Sequence, residues 1–525
     1  MRQSSRSPVD GAPLGSVAVT PPDAVAEAVA ATGEVQALWA ALRLRDRARY
    51  LRRAAQAVID ELDELADLLV REQGRPRAEA VTQELLPSID TLQWLADAGP
   101  RVLGPERVRV SRKVFPVKRA HLTFEPLGVV AVLTPGGEPW HTPLGDVAVA
   151  LMGGNAVLLA PSSQAALAAE RIARVFARAS LPEGLLQVHH GGAQTARALL
   201  EAPVTQVVFT GSPEAGRAVG EICARSYKRS TLETGGHDAL LVVRGADPER
   251  AATGAAWAAF ANAGQSPGSV KRAFVVAEVA ERFTTALVAA AGRLHVGDPA
   301  QAGTEVGPLL TPQRLQGVRE LVDDALAAGA TLRCGGPLER SPGSWCAPVV
   351  LTDVPPGARV WREAAPGPVL SVATVAGERE AITRANEGQL GLGASVWTDD
   401  HPQGRRIARE LRAGMVWLND HLPSRTAPQL PWGGVAGSGL GRARGAPALR
   451  AAVEPKLITW DPPRSHHFWW HPYDATLVDA GRALARLRSV RDHDRERALR
   501  AGALPLSRTA VRGLRAAAGT VRRAR

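Results

Sequence analysis

The feature that most constrains the fold is a run of alternating segments between about 128 and 225. Short apolar stretches (GVVAVLT, AVLLA, LLQVHH, TQVVFTG) are separated by segments with apolar residues at helical spacing, such as AALAAERIARVFARA and ARALLEA. Strands joined by helices are crossover-connected, so they pair in parallel and are buried on both faces. The pattern predicts a doubly wound α/β sheet. A second alternating region runs from about 236 to 447, with AFVVA, LHVG, PVVLTDV and VLSVATV as expected strands. Upstream, residues 22–98 read as helices, among them ARYLRRAAQAVIDELDELADLLVREQG with Gly74 as its stop. VRVSRKVFPVKRAHLTFEPLG alternates like a hairpin or extended arm, and AVEPKLITW is a further strand.

With 525 residues the chain can hold two or three domains with large cores. No run of 18 apolar residues and no secretory leader is present, so the expectation is a cytoplasmic protein. Cys223, Cys334 and Cys346 are too few and too irregularly spaced for a disulfide framework or a zinc site, and no metal is expected. The net charge of +11 suggests nucleic acid, but from Arg464 onward fourteen arginines face five acids, which leaves the rest near neutral. A basic reading face on the main body is therefore excluded. The tail is a separate matter. Phe468, Trp469, Trp470 and Tyr473 precede Leu477, Ala480, Leu484 and Leu487, with Arg482, Arg486 and Arg488 between them. Such a stretch suits peripheral contact of 464–525 with an anionic membrane surface; equally, its aromatics can pack on the parent domain.

Several motifs carry chemistry. In TQVVFTGSPEAGRAVGE a strand ends at Gly211, Ser212 is a good N-cap, and Pro213 and Glu214 suit the first helical turn, with Gly216 just inside. A helix start of this kind offers free N–H groups to a pyrophosphate, although many plain strand–turn–helix units look the same. LETGGHD then places Glu233 beside Gly235 and Gly236, and FANAGQSPGSVKR carries Pro267. EVGPLL, REAAPGPVLSV, NEGQLGLGASVWT and PWGGVAGSGLGRARG follow.

In this order and spacing the set resembles the aldehyde dehydrogenase superfamily, over about Pro21 to Trp460, and most of all its bacterial succinate-semialdehyde and broad-specificity branch. The resemblance implies an α/β fold with a Rossmann-type NAD(P)-binding domain (21–107 and 125–234), a catalytic-type α/β domain (235–449) and a small β oligomerisation arm (108–124 and 450–461). A flexible N-terminus (1–20) and a basic tail (462–525) flank them. It also implies NAD or NADP as cofactor, a small aldehyde as substrate, and a homo-oligomer, dimer or tetramer; a mixed oligomer with an active homologue is the alternative assembly.

The family mechanism needs a Cys thiolate, an oxyanion pocket made of a backbone N–H and an Asn amide, NAD(P), and a Glu that activates water. Residue by residue, the Cys position of G-Q-x-C falls on Pro267, which also lacks a backbone N–H. The Asn position falls on Gly137 in the ungapped register; a shifted register would offer His141 instead. The Lys that holds the adenosine ribose falls on Ala160, and the Glu that holds the nicotinamide ribose falls on Ala364. Thr134, Pro135, Gly211, Ser212, Gly216 and Gly235 remain at cofactor-contact positions, and Glu233 remains at the general-base position, where local hydrogen bonds alone could also explain it. The expectation is a family member without ordinary aldehyde oxidation, a pseudoenzyme or a subunit of a mixed oligomer. The alternatives are an oxidoreductase with a non-Cys mechanism and a protein that docks through its tail.

Overall fold

The computed structural model describes residues 1–111, 115, 117–422, 426–461, 467, 470–471 and 473–500. Phe468, Trp469 and 501–525, parts of the tail discussed above, lie outside the described residues.

Two sheets organise the larger unit, Met1–Gly104 with Phe124–Glu454. The first has six strands in the order Gly439–Leu440, Arg229–Thr234, Gln206–Gly211, Val129–Thr134, Ala156–Pro161 and Leu186–Val188. All its pairs are parallel except the first. Strand order reverses beside Val129–Thr134, whose neighbours lie on opposite sides in chain order, so the C-terminal ends of Val129–Thr134 and Gln206–Gly211 open a crevice at a topological switch point. Every residue of Val129–Thr134 is buried, as a strand covered on both faces requires. Each fully buried Val or Leu there contributes about 1.5–3 kcal/mol.

The second sheet has seven strands in the order Thr331–Pro337, Cys346–Thr352, Val369–Val375, Val270–Val276, Asp238–Val242, Gly393–Trp397 and Met415–Leu418, antiparallel only at the first pair. LHVG, expected as a strand, contributes only an isolated bridge between Val296 and Val306, because the chain turns at once into the Asp298–Thr304 loop.

The first twenty residues differ from the flexible arm expected. Arg2–Arg6 and Pro13–Ala18 pair as an antiparallel hairpin. Ser5 donates to the buried Glu72 carboxylate (2.8 Å), which also accepts the backbone N–H groups of Leu167 and Ala168 (both 2.9 Å). Glu72 therefore fastens the hairpin while capping the helix Ala166–Arg178.

The smaller unit comprises Pro105–Thr123 and the chain from Pro455. Within it Glu106–Val108 pairs antiparallel with the strand Arg119–Pro126, and Val453–Trp460 forms the outer edge of the same three-stranded sheet. In the helix Ala475–Arg486, Ala480 and Ala483 are buried while Arg482 and Arg486 are exposed. No described helix is long and apolar enough to cross a membrane.

Candidate functional site

The stretch from Phe260 leaves its helix through three successive left-handed residues, Asn262 (φ 52°), Ala263 (φ 50°) and Gly264 (φ 67°). Glycine tolerates this; a β-carbon such as that of Ala263 costs about 1–2 kcal/mol there. Several bonds hold the turn. The Glu79 carboxylate accepts the Asn262 backbone N–H (3.0 Å), and Asn262 Nδ2 donates to the Gly137 carbonyl (3.0 Å). Gln265 Oε1 accepts from the Leu310 N–H (3.0 Å). Lys271 Nζ donates to the carbonyls of Gly264 (2.7 Å) and Gly367 (2.8 Å). Burial lowers the Lys271 amine to about 7. At the far side of the turn the Pro267 carbonyl accepts the Gly236 N–H (3.2 Å), which brings the Gly235–Gly236 turn against it.

Gly136 and Gly137 form the facing loop. Arg75, almost wholly buried, donates to the Gly137 carbonyl (2.9 Å) and lies 3.2 Å from the equally buried Glu84. Glu84 then accepts the backbone N–H groups of Trp140 (3.3 Å) and His141 (2.7 Å). A π-helical segment, Ala80–Leu85, carries Glu84. A β-carbon on Gly136 would fall 2.4 Å from Gln164 Oε1, and one on Gly137 would fall 3.2 Å from the Gln265 carbonyl and 3.9 Å from Arg314 Nη2. Gly137 thus faces the Gln265–Pro267 turn. His141 does not: its ring nitrogens meet Thr91 Oγ1 (3.2 Å) and Arg444 Nη2 (3.4 Å). The shifted register that would make His141 an oxyanion donor is not the one the chain adopts.

Thr91 and Arg444 belong to a second corner, a cavity of about 10 Å³ also lined by Asp146 and Glu233. That is room for about one water. Glu233 ends its strand buried and accepts the Ala443 N–H (3.0 Å). Burial raises its carboxyl well above the usual range, and the neighbouring Asp146 and Glu138 add to that while Arg444 opposes it. Asp146 faces the same cavity; burial pushes it up to about 7, against Arg444. Burial thus favours the protonated form of both carboxyls.

The remaining positions divide between a phosphate end and two ribose ends. Ser212 caps the helix Pro213–Arg225 by accepting the Ala215 N–H. Gly216 is required where that helix meets Thr234, since a β-carbon would fall 2.4 Å from Thr234 Cγ2. Gly211 lies against the Phe209 ring, and Gly235 faces Pro213 with space to spare. The Thr134 carbonyl accepts the Ser162 N–H, and Pro135, part-buried, leads into the Gly136–Gly137 loop. This end fits the pyrophosphate of a dinucleotide. Ala160 and Ala364, expected at the ribose ends, carry only methyl groups.

No cysteine supplies a replacement thiolate. Burial raises the thiols of Cys223 and Cys334 and pushes Cys346 up to about 12, the wrong direction for a nucleophile. Among the described residues no group of three or more His, Cys, Asp or Glu is placed to hold a metal ion.

The aldehyde dehydrogenase family model matches residues 1–458. The chain belongs to the aldehyde dehydrogenase family. It is 36% identical to the 4,4'-diapolycopene aldehyde oxidase of Methylomonas sp over 443 residues, 84% of this chain and 83% of that protein. It is 33% identical to a succinate-semialdehyde dehydrogenase [NADP(+)] of Escherichia coli (strain K12), over 83% of this chain and 89% of that one. The NAD-dependent aldehyde dehydrogenase structure from Sinorhizobium meliloti superposes with a TM-score of 0.85 at 29% identity, covering 90% and 93% of the two chains. Family members bind NAD or NADP, and one similar solved structure, PnpE, holds nicotinamide adenine dinucleotide (TM-score 0.84, 28% identity, 88% and 95% covered).

Sequence reasoning singled out Glu233, Gly137 and Pro267 but not Arg75, Glu84, Lys271, Arg314 or Arg444. The family's motif order marks the first three. The others lie in five separate segments, and only the tertiary structure brings them to the crevice.

Proposed function

We propose that this aldehyde dehydrogenase homologue does not carry out ordinary aldehyde oxidation and serves as a binding scaffold, alone or as a subunit of a mixed oligomer. The observation that carries this reading is Pro267. It stands at the family's nucleophile position, on a turn whose strained backbone and polar fastenings are intact. A proline there removes the attacking sulfur and a backbone donor together, and each lost oxyanion donor alone costs about 10²–10³ in rate. The upward shift of Glu233 adds support, because burial disfavours the carboxylate form that activates water. For assembly, the edge strand Val453–Trp460 exposes Leu457, Ile458 and Trp460, a surface suited to pairing with a second copy.

The test is calorimetric titration of NAD and NADP together with turnover on simple aldehydes, for the native chain and for Pro267→Cys. The expected outcome is no acid formation by either, since Gly137, Ala160 and Ala364 also lack the family's groups. Acid formation by the native chain at rates ordinary for the family would overturn the reading. Turnover gained by Pro267→Cys would mean that the nucleophile alone had been lost.

A further inference from the structure

Arg314 is the third residue of the helix Pro312–Ala327, and its backbone N–H is bonded to Thr311. Its guanidinium is part-buried beside Gly137, with Nη2 3.9 Å from the β-carbon that a side chain there would carry. Neither a hydrogen bond nor an ion pair engages that guanidinium among the described residues. The acids of the neighbourhood are already committed: Glu79 to the Asn262 N–H and Glu84 to Arg75 and the Trp140–His141 backbone. A second cation, Lys271, lies close enough for Arg314 to lower its pKa. Burial lowers Arg314 too, with no acid opposing it. The same helix packs on the loop of Ala364, Gly317 lying against Pro366. A partly desolvated, unpaired guanidinium is costly to maintain in a folded chain, and its planar fork matches an oxyanion.

We propose that Arg314 makes the corner beside Gly137 a binding subsite for a carboxylate. Glycine places no side chain between the two loops there, and the guanidinium at its edge takes the two oxygens of a ligand acid. The inference deepens the scaffold reading and rests on it for the ligand's class, an acid bound rather than an aldehyde oxidised. A phosphate presents similar oxygens to a guanidinium, so the experiment separates the two sources.

Isothermal titration of the full chain with hexanoate, hexan-1-ol and inorganic phosphate is the test. Hexanoate is expected to bind saturably and the neutral alcohol roughly tenfold or more weaker. Arg314→Gln is expected to weaken hexanoate by a similar factor, Arg314→Lys to retain part of the affinity, and Gly137→Asn to weaken it by crowding the corner. Because the Arg314 side chain makes no hydrogen bond, Arg314→Gln should leave the melting temperature close to that of the native chain. Equal hexanoate affinity in the native chain and Arg314→Gln would overturn the proposal, as would equal binding of hexanoate and hexan-1-ol by the native chain, a comparison that needs no variant. Arg314-dependent binding of phosphate without hexanoate would reject the carboxylate. Aldehyde turnover by the same preparation would sink the scaffold reading and leave the Arg314 dependence of acid binding to be judged separately.

Discussion

The two corners of the crevice are held together in opposite ways. Around Asn262–Pro267 and Gly137 the fastenings run to backbone atoms, and neither Pro267 nor Gly137 carries a polar side chain. Around Glu233 the family's carboxylate persists, and charged groups crowd it: Asp146 and Arg444 line the same small cavity. The difference shows that a frame and its chemistry are held by separate sets of residues. Arg75, Glu84, Glu79 and Asn262 hold the first corner through backbone atoms, so that corner does not depend on the side chains at 137 and 267. The second corner is held by its ionisable groups themselves, so changing one alters the protonation of the others.

The largest expected effect would break the frame. Arg75→Met leaves Glu84 buried without its cation and the Gly137 carbonyl without one donor, a loss of about 3–5 kcal/mol. Denaturant unfolding should show that loss, while Arg75→Met combined with Glu84→Leu should recover much of it. Recovery would fail if the carboxylate's hold on the Trp140–His141 N–H groups were the dominant contribution.

A pH series separates the corners. Asp146 titrates near 7 in the folded chain but near 4 when unfolded. Between those values the folded state binds the extra proton, so stability falls as pH rises from about 4 to 7. Lys271 titrates near 7 when folded and near 10.5 when unfolded. There the unfolded state holds the extra proton, so stability rises with pH from about 7 to 10.5. Each limb is on the order of a few kcal/mol. Asp146→Asn should flatten only the acid limb and Lys271→Met only the alkaline one, measured by unfolding at pH 4, 7 and 10. If either variant flattened both limbs, the corners would not be independent.

The smallest effect lies outside both. Ser212→Ala removes a helix cap worth about 1 kcal/mol, and thermal melting should shift slightly with no change in either pH limb.

How much of this was legible in the sequence follows from the range of each interaction. Strands such as Val129–Thr134 declare themselves locally, because burial on both faces leaves an unbroken apolar run. The hairpin of Arg2–Arg6 and Pro13–Ala18 does not: RQSSR is polar, and its fastening to Glu72 spans 67 residues. The turn at Pro267 was readable from family order, whereas the unpaired guanidinium of Arg314 was not, since one arginine among 63 basic residues carries no local mark. Buried charge has no periodicity, and its partners are chosen by the fold.

The bare backbone at Gly137 has a further consequence, one of spacing. The β-carbon of any replacement would press on the Gln265 carbonyl, and that carbonyl belongs to a turn whose other bonds fix its place. Any side chain placed at 137 therefore asks that carbonyl to yield by a few tenths of an ångström, so the spacing of the two loops is set by one absent carbon. The two loops meet as a matched pair, and neither can change its bulk at this point without moving the other.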